Sequence, residues 1–287
     1  MAHDQTALSN KTAQGAMSDK DFRKFSEFIY AEVGIKLPQV KKTMIEARLQ
    51  KRIRALEMPS HRDYLAYLFS RDGLEKELIN LIDVVTTNTT DFFREPQHFS
   101  YLSETVLPDW FAAHGPSHAL RIWSAGCSLG MEPYTLAMVL SEFAEKNPGF
   151  SARILATDIS SQVLQKAVRA VYDEDRVAPV PRHLKTKYLL RSKDRTQKLV
   201  RIDPRLRDMV SFERLNFMEP FTFKHPFDVI FCRNVVIYFD KQTQEKLFTK
   251  FHRVLGRGGH LFIGHSESLA GMNVAFRPVI PTVYTPA

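Results

Sequence analysis

The spacing of apolar positions changes character along the chain. From Ser18 to about Asn80 the period is helical: Phe22, Phe25, Phe28 and Ile29 follow the capping candidates Ser18 and Asp21. A second helix, over 40–56, aligns Ile45, Leu49, Ile53 and Leu56 in one stripe, with Lys41, Arg48, Lys51 and Arg52 on an adjoining arc. A third helical stretch, over 64–82, buries Leu65, Leu68, Leu78, Leu81 and Ile82, and Gly73 marks a break in it. Residues 84–96 are rich in hydroxyls and β-branched side chains, so they read as a linker, followed by a helix over 97–107. Beyond that point short apolar runs alternate with helices.

The first such run, Arg121-Ile122-Trp123-Ser124-Ala125, enters Gly126-Cys127-Ser128-Leu129-Gly130 and then the helical Tyr134-Thr135-Leu136-Ala137-Met138-Val139-Leu140. A second strand, over 152–157, ends at Asp158, and Ser160 offers an N-cap for the next helix. This is a βαβ unit whose glycine turn lets backbone approach a ligand and whose terminal acid can accept two ribose hydroxyls. Only two glycines are present, as Gly-x-x-x-Gly, and Glu132 stands at the helix start, where a pyrophosphate would be repelled. A carboxylate there suits a nucleoside that carries an amino group, as S-adenosylmethionine (SAM) does. Glycines that serve only helix and strand packing are the competing explanation of the turn.

Residues 171–214 interrupt the alternation with Pro179, Pro181, a short helix over 183–190 and a strand-like 198–202, which reads as an insertion. Strands follow over 210–215 and 227–234, the latter near-continuously apolar, as in a buried parallel sheet. A helix over 241–255 stops at Gly256 and Gly258-Gly259, and the last strands are 260–264 and 274–284. The expected organisation is a disordered tail (1–17), a helical domain (18–83), a linker with a connecting helix (84–116) and an α/β domain (117–287) carrying the insertion.

Hydrophobic content of 44% and charged content of 25% are ordinary for a soluble protein, and no apolar run is long enough to span a bilayer. The polar start, 1–15, has no secretion signal, so a cytoplasmic location is expected. Cys127 and Cys232 lie in different elements without metal-ligand spacing, so neither a metal nor a disulfide is expected. The net charge of +8 points to an acidic partner surface without naming it.

Ligands of an open parallel sheet bind beyond the carboxyl ends of its strands. Gly126, Asp158, Asn216, Asn234 with Tyr238, and His265-Ser266-Glu267 all fall there. The Asn/Asp-Pro-Pro-aromatic segment of amine methylases is missing from Arg233-Asn234-Val235-Val236-Ile237-Tyr238, and Gly264-His265-Ser266-Glu267-Ser268 lacks the final glycine of a hydrolase elbow.

With those residues assembled, the chain resembles the chemotaxis receptor glutamate methyltransferases, the CheR family, from about Ser18 to Tyr284. The motifs are Thr86-Thr87-Asn88-x-Thr90-x-Phe92-Phe93-Arg94-Glu95, Trp123-Ser124-Ala125-x-Cys127-Ser128-x-Gly130-x-Glu132-Pro133-Tyr134, Phe227-Asp228-x-Ile230-Phe231-Cys232-Arg233-Asn234-Val235-x-Ile237-Tyr238-Phe239 and Gly264-His265-Ser266-Glu267. The resemblance implies a Rossmann-like SAM-dependent methyltransferase domain with a small antiparallel β-subdomain, preceded by an all-α domain. It implies transfer of methyl from SAM to glutamate carboxylates on the cytoplasmic signalling domain of bacterial chemoreceptors, leaving S-adenosylhomocysteine. Asn88, Thr90, Arg94, Glu132, Asp158, Asn216 and Asn234 would line the SAM pocket, with Phe217 and Val235 contributing backbone and packing. Arg94 and Tyr238 would lie closest to the transferred methyl, and the helix with Lys41, Arg48, Lys51 and Arg52 would face the acidic receptor. Neither nucleic acid nor membrane insertion is implied, and a monomer is expected. The chain departs from the family's usual Ser-Thr-Gly-Glu-Glu-Pro-Tyr at Leu129 and Met131. Those departures leave open a SAM-binding, receptor-docking module with little turnover. The turn 191–198 of the insertion has no glycine, unlike members that dock a receptor's C-terminal peptide.

Overall fold

A computed structural model describes residues 16–86 and 88–287. The chain forms two compact units, divided at residues 87 and 88.

Among the described residues the first unit holds four α-helices and a short 3-10 turn, Gln39–Lys41. Helix α1 (Asp19–Val33) starts where Ser18 Oγ accepts from the Asp21 N–H and ends at Gly34, whose left-handed backbone (φ 72°) turns its N–H back to Tyr30 O. Its Phe22, Phe25, Ile29 and Val33 are buried, as are Ile45, Leu49 and Ile53 of α2 (Lys42–Ala55). Helices α3 (His61–Leu68) and α4 (Arg71–Val85) are capped by Ser60 and Ser70. The break expected at Gly73 therefore falls earlier, at Phe69 and Ser70. Gly73 lies in the first turn of α4, where an added Cβ would come within 1.9 Å of Tyr67 O, so the glycine serves close packing. Of the expected tail, residues 1–15 lie outside the described residues. Met17 is buried, and its N–H donates to Glu46 Oε1 at 2.8 Å.

The second unit opens with α5 (Pro96–Tyr101), a π-helical stretch (Leu102–Val106) and α6 (Leu107–His114), so the helix expected to stop at 107 runs on. Pro108 has no N–H for the carbonyl one turn back, and the backbone widens just before it. Strand β1 (Ala119–Ala125), α7 (Met131–Lys146), β2 (Ser151–Asp158) and α8 (Ser161–Arg169) form the βαβ unit and its next helix. The insertion contributes β3 (Val171–Asp173), α9 (Arg182–Tyr188), β4 (Leu189–Arg191), β5 (Leu199–Ile202) and α10 (Pro204–Arg207). Its strands form a separate antiparallel sheet, β3-β5-β4.

The main sheet is completed by β6 (Val210–Arg214), β7 (Phe227–Cys232), β8 (Leu255–Ile263), β9 (Phe276–Ile280) and β10 (Val283–Pro286), with α11 (Lys241–Val254) between β7 and β8. Its order is β6-β2-β1-β7-β8-β10-β9, parallel from β6 to β8 and antiparallel thereafter. Residues 210–214 thus belong to the main sheet rather than to the inserted one. Val229, Ile230 and Phe231 are wholly buried, as a central parallel strand requires. Helix α11 ends at Val254, within one residue of the expected stop, but two details differ beyond it. The strand expected over 260–264 begins at Leu255, so Gly256, Gly258 and Gly259 lie within β8, where pairing with β7 shifts register, and a Cβ on Gly259 would stand 2.9 Å from Asp228 O. The single strand expected over 274–284 is a hairpin, turning at Pro281 and Thr282 (φ 64°).

Candidate active site

The turn after β1 is shaped by its backbone. Gly126 has φ 89°, and an added Cβ would lie 2.4 Å from Val235 Cγ2, so only glycine lets this turn meet the loop after β7. The Gly126 and Cys127 N–H groups both donate to Thr157 O, at 2.8 and 2.9 Å. The chain then turns through Ser128 (φ 49°), which directs its N–H to Asp158 Oδ2 at 2.8 Å. The Ser160 N–H holds the other oxygen at 3.0 Å, so the Asp158 carboxylate, nearly buried, is fixed at the mouth of the turn by two amides. Ser128 Oγ donates to Asn88 O at 3.0 Å, which ties the segment before α5 to the turn.

A second cluster forms where β7 and β8 end. Arg233 follows β7, which is apolar and buried from Val229 to Cys232, and its guanidinium is 2% exposed. It donates to Glu95 Oε2 at 2.9 and 3.2 Å, to Glu132 Oε2 at 3.2 Å, and to Arg94 O. Glu132 also accepts from Ser124 Oγ at 2.8 Å. Burial pushes the Glu132 carboxyl up against the pull of Arg233. For Glu95 the balance goes the other way: burial raises its pKa, but the charge of Arg233 and the His265 N–H bring it below the usual value. Glu267, also buried, accepts from the N–H groups of Asn234 (3.0 Å), Val236 (2.9 Å) and Gly264 (2.6 Å). Three amides on one carboxylate hold Asn234 in its left-handed conformation (φ 59°). Gly264 is needed beside it, because a Cβ there would stand 2.6 Å from Asn234 Nδ2.

Contacts in the structure thus join Asn88, Gly126, Glu132, Asp158, Asn234, Val235 and the backbone of Arg94. The Arg94 side chain is half-buried and donates to Thr89 O at 3.3 Å. Thr90 offers its carbonyl to Arg176 at 2.7 Å, and Tyr238 ends a short helical turn, Val236–Tyr238. Asn216 turns inward on its own loop, accepting from the Met218 N–H at 3.0 Å, while Phe217 packs on Trp123 and Phe251. Met131, one of the two departures from the family's turn, is buried, its sulfur 3.7 Å from Arg176. Leu129 is half-buried. Cys127 and Cys232 are buried and their thiols are pushed up by burial.

Two charged residues with central positions, Glu95 and Arg233, were given no role from the sequence, although both stand in its motifs, and Glu267, expected only as one of the polar groups at the strand ends, holds three backbone amides. The signal was available for Arg233: a cation directly after a strand buried on both faces needs buried partners.

In the helical unit, the basic residues of α2 divide. Arg52 forms a forked pair with Glu77, Nε to Oε1 at 2.6 Å and Nη2 to Oε2 at 2.8 Å, and Glu77 is 2% exposed and also takes the Tyr64 hydroxyl at 3.1 Å. Arg48 donates to Val85 O and Thr86 O at the end of α4. Both therefore carry structural contacts that the single cationic face did not foresee. Lys51 is exposed and Lys41 half-buried.

No helix among the described residues is long and apolar enough to cross a membrane. Residues 20–86 match the family described as CheR methyltransferase, all-alpha domain, and residues 88–285 match CheR methyltransferase, SAM binding domain. The chain is 42% identical over 262 residues to the chemotaxis protein methyltransferase of Borreliella burgdorferi, covering 90% of this chain and 91% of that protein. It is 36% identical over 278 residues to the chemotaxis protein methyltransferase of Escherichia coli, covering 96% and 94%. Chemotaxis protein methyltransferase 2 of Pseudomonas aeruginosa is 36% identical over 270 residues, with 93% of each chain covered. The chain belongs to the CheR methyltransferase family, and its second unit is that family's SAM-binding domain.

Proposed function

We propose that this SAM-dependent methyltransferase esterifies glutamate side chains on the cytoplasmic signalling domain of chemoreceptors, working as a monomer in the cytoplasm. The observation that carries the carboxylate specificity is the contrast between two neighbouring arginines. Arg233 is saturated by two carboxylates, whereas the Arg94 guanidinium makes one long hydrogen bond, to a carbonyl, and no ion pair among the described residues. Arg94 is the cation left to receive an incoming carboxylate by a two-pronged contact.

The donor set suits SAM. Asp158, aimed by two amides, accepts the ribose hydroxyls, while Glu132 accepts the amino group through capacity that Ser124 and Arg233 do not use. Asn88, Thr90, Gly126, Asn216, Phe217, Asn234 and Val235 complete the pocket. SAM supplies an electrophilic methyl on a sulfonium. A glutamate oxygen lone pair forms the new C–O bond as the C–S bond breaks toward sulfur, so the products are the methyl ester and neutral-sulfur S-adenosylhomocysteine, and no proton moves. A glutamate with a pKa of about 4.3 is already ionised at neutral pH and needs no base. The work of Arg94 and Tyr238 is to desolvate and align the carboxylate. Lys41 and Lys51, with whatever charge Arg48 and Arg52 still present, favour an acidic receptor surface.

The test is transfer of labelled methyl from SAM to a receptor signalling fragment, followed by a mild alkaline wash. Base-labile label that is lost with Arg94→Ala is the expected result. Base-stable label, or full transfer by the Arg94→Ala protein, would sink the carboxylate assignment.

A further inference from the structure

Two histidines converge on Glu95 in a way that methyl transfer does not use. His98, in α5, is 2% exposed, and its Nε2 lies 2.7 Å from Thr282 Oγ1. That hydroxyl donates its own proton to Pro281 O at 2.6 Å, so it can only accept from His98, and Nε2 carries the ring proton. Nδ1 then presents a lone pair. It is buried, has no hydrogen-bond partner, and faces Glu95 Oε2 at 3.5 Å. Two buried acceptors set against each other are unfavourable unless something positive lies between them. His265, just after β8, brings Nε2 to 3.9 Å from the same carboxylate oxygen.

We propose that Glu95, His98 and His265 bind a divalent transition-metal ion, Zn²⁺ by preference, through Oε2, Nδ1 and Nε2, with a fourth position open to solvent. All three ligand atoms lie within 4.8 Å of one another. Zinc bonds of about 2.0–2.1 Å in a tetrahedron place ligands about 3.3–3.4 Å apart, so the edges at 3.5 and 3.9 Å are already close to bonding geometry. His265 is 51% exposed and can supply the remaining movement as well as the entry path. Two imidazoles and a single carboxylate favour zinc over magnesium or calcium, which require more oxygen ligands. The surrounding shell is present: Thr282 holds the far nitrogen of His98, and the His265 N–H and Asn234 Nδ2 hold Glu95 Oε1 at 3.2 and 3.4 Å.

Arg233 opposes the ion, because it donates to the same Oε2. Occupancy must draw that oxygen from the guanidinium, which limits affinity and loosens the grip of Arg233 on the Arg94 carbonyl. Zinc is therefore an inhibitor of this enzyme.

The test uses the tag-free full chain after chelator treatment. Zn²⁺ titration by calorimetry should give one site per chain, and Co²⁺ should give tetrahedral absorption bands that Zn²⁺ abolishes. His265→Ala, at a half-exposed position, should weaken Zn²⁺ binding at least about tenfold, remove the bands and relieve zinc inhibition of methyl transfer. His98→Gln should do the same where that variant folds. Absence of stoichiometric binding, or binding and inhibition that His265→Ala leaves unchanged, would overturn the site.

Discussion

Replacing Arg233 by methionine keeps most of the side chain's volume and removes its charge. The guanidinium is 2% exposed and its partners Glu95 and Glu132 are 11% and 14% exposed, so solvent does little to screen them. At an effective dielectric of about 20, a unit charge pair about 3 Å apart attracts by roughly 5 kcal/mol. Much of that offsets desolvation, and removing one partner of a buried pair typically costs about 3–5 kcal/mol because the other charge is stranded. Here two carboxylates are stranded, and the Arg94 carbonyl loses its donor. Arg233→Met should therefore destabilise the SAM-binding unit by about 3–5 kcal/mol, a large share of the roughly 5–15 kcal/mol that a typical domain has.

Urea denaturation followed by circular dichroism measures the loss, and a second substitution identifies its cause. Glu132 has a raised pKa in the folded protein, so neutralising it in the absence of Arg233 relieves a buried charge. The Arg233→Met/Glu132→Gln protein should be more stable than the sum of the single changes predicts by about 1 kcal/mol or more. A loss below about 1 kcal/mol in Arg233→Met, or strict additivity in the double variant, would refute the view that this cation holds the site together.

Other consequences follow from the same contacts. Arg52→Ala should destabilise the helical unit by about 3–5 kcal/mol by stranding the buried Glu77, whereas Lys51→Ala should change stability by less than about 0.5 kcal/mol; equal effects in urea titrations would contradict the assignment of Arg52 as structural. Gly126→Ala should lower calorimetric affinity for S-adenosylhomocysteine by at least about tenfold, since the left-handed backbone strains a Cβ by about 1–2 kcal/mol and Val235 must also move; unchanged binding would remove the turn from the site. Stability should fall on acidification below about pH 6.5. Burial depresses the His260 pKa below its unfolded value of 6.5, so the unfolded chain gains the proton first, and the contribution is complete above that pH and lost as pH falls through the folded pKa. His260→Asn should shrink the loss between pH 7.5 and 5, and His98, whose pKa burial also depresses, contributes in the same direction; an unchanged acid limb would refute this.

What was legible in the sequence is what periodicity encodes. The stripe Phe22, Phe25, Ile29, the buried run of β7 and the glycine turn ahead of Asp158 each state a local structure that the fold then uses. The glycines read as punctuation show the limit. Gly73 and Gly259 are required by atoms of other turns and strands, Tyr67 O and Asp228 O, so their meaning lies in a close approach that no local pattern reports. The chain after α11 likewise enters a strand at once, because the bulged pairing with β7 accommodates residues that would otherwise end a helix.

Charges were harder to read for a related reason. A sequence gives the sign of a side chain but not the distance to its partner, and here the partners are remote: Arg52 and Glu77 are 25 residues apart, Arg233 and Glu132 are 101, Arg233 and Glu95 are 138. Glu132 was assigned to the ligand because a carboxylate at that helix start would repel a pyrophosphate and suit a nucleoside carrying an amino group. The structure also supplies a cation for it from within the chain, at the end of β7. This changes how the site must be understood. A carboxylate already shared with a buried arginine is a weaker and more geometrically constrained acceptor than a solvated one, so discrimination at this position rests on Arg233 as much as on Glu132. Of the two neighbouring arginines, the buried one holds Glu95 and Glu132, and in the function proposed above this leaves the half-buried Arg94 to meet the carboxylate that arrives from outside.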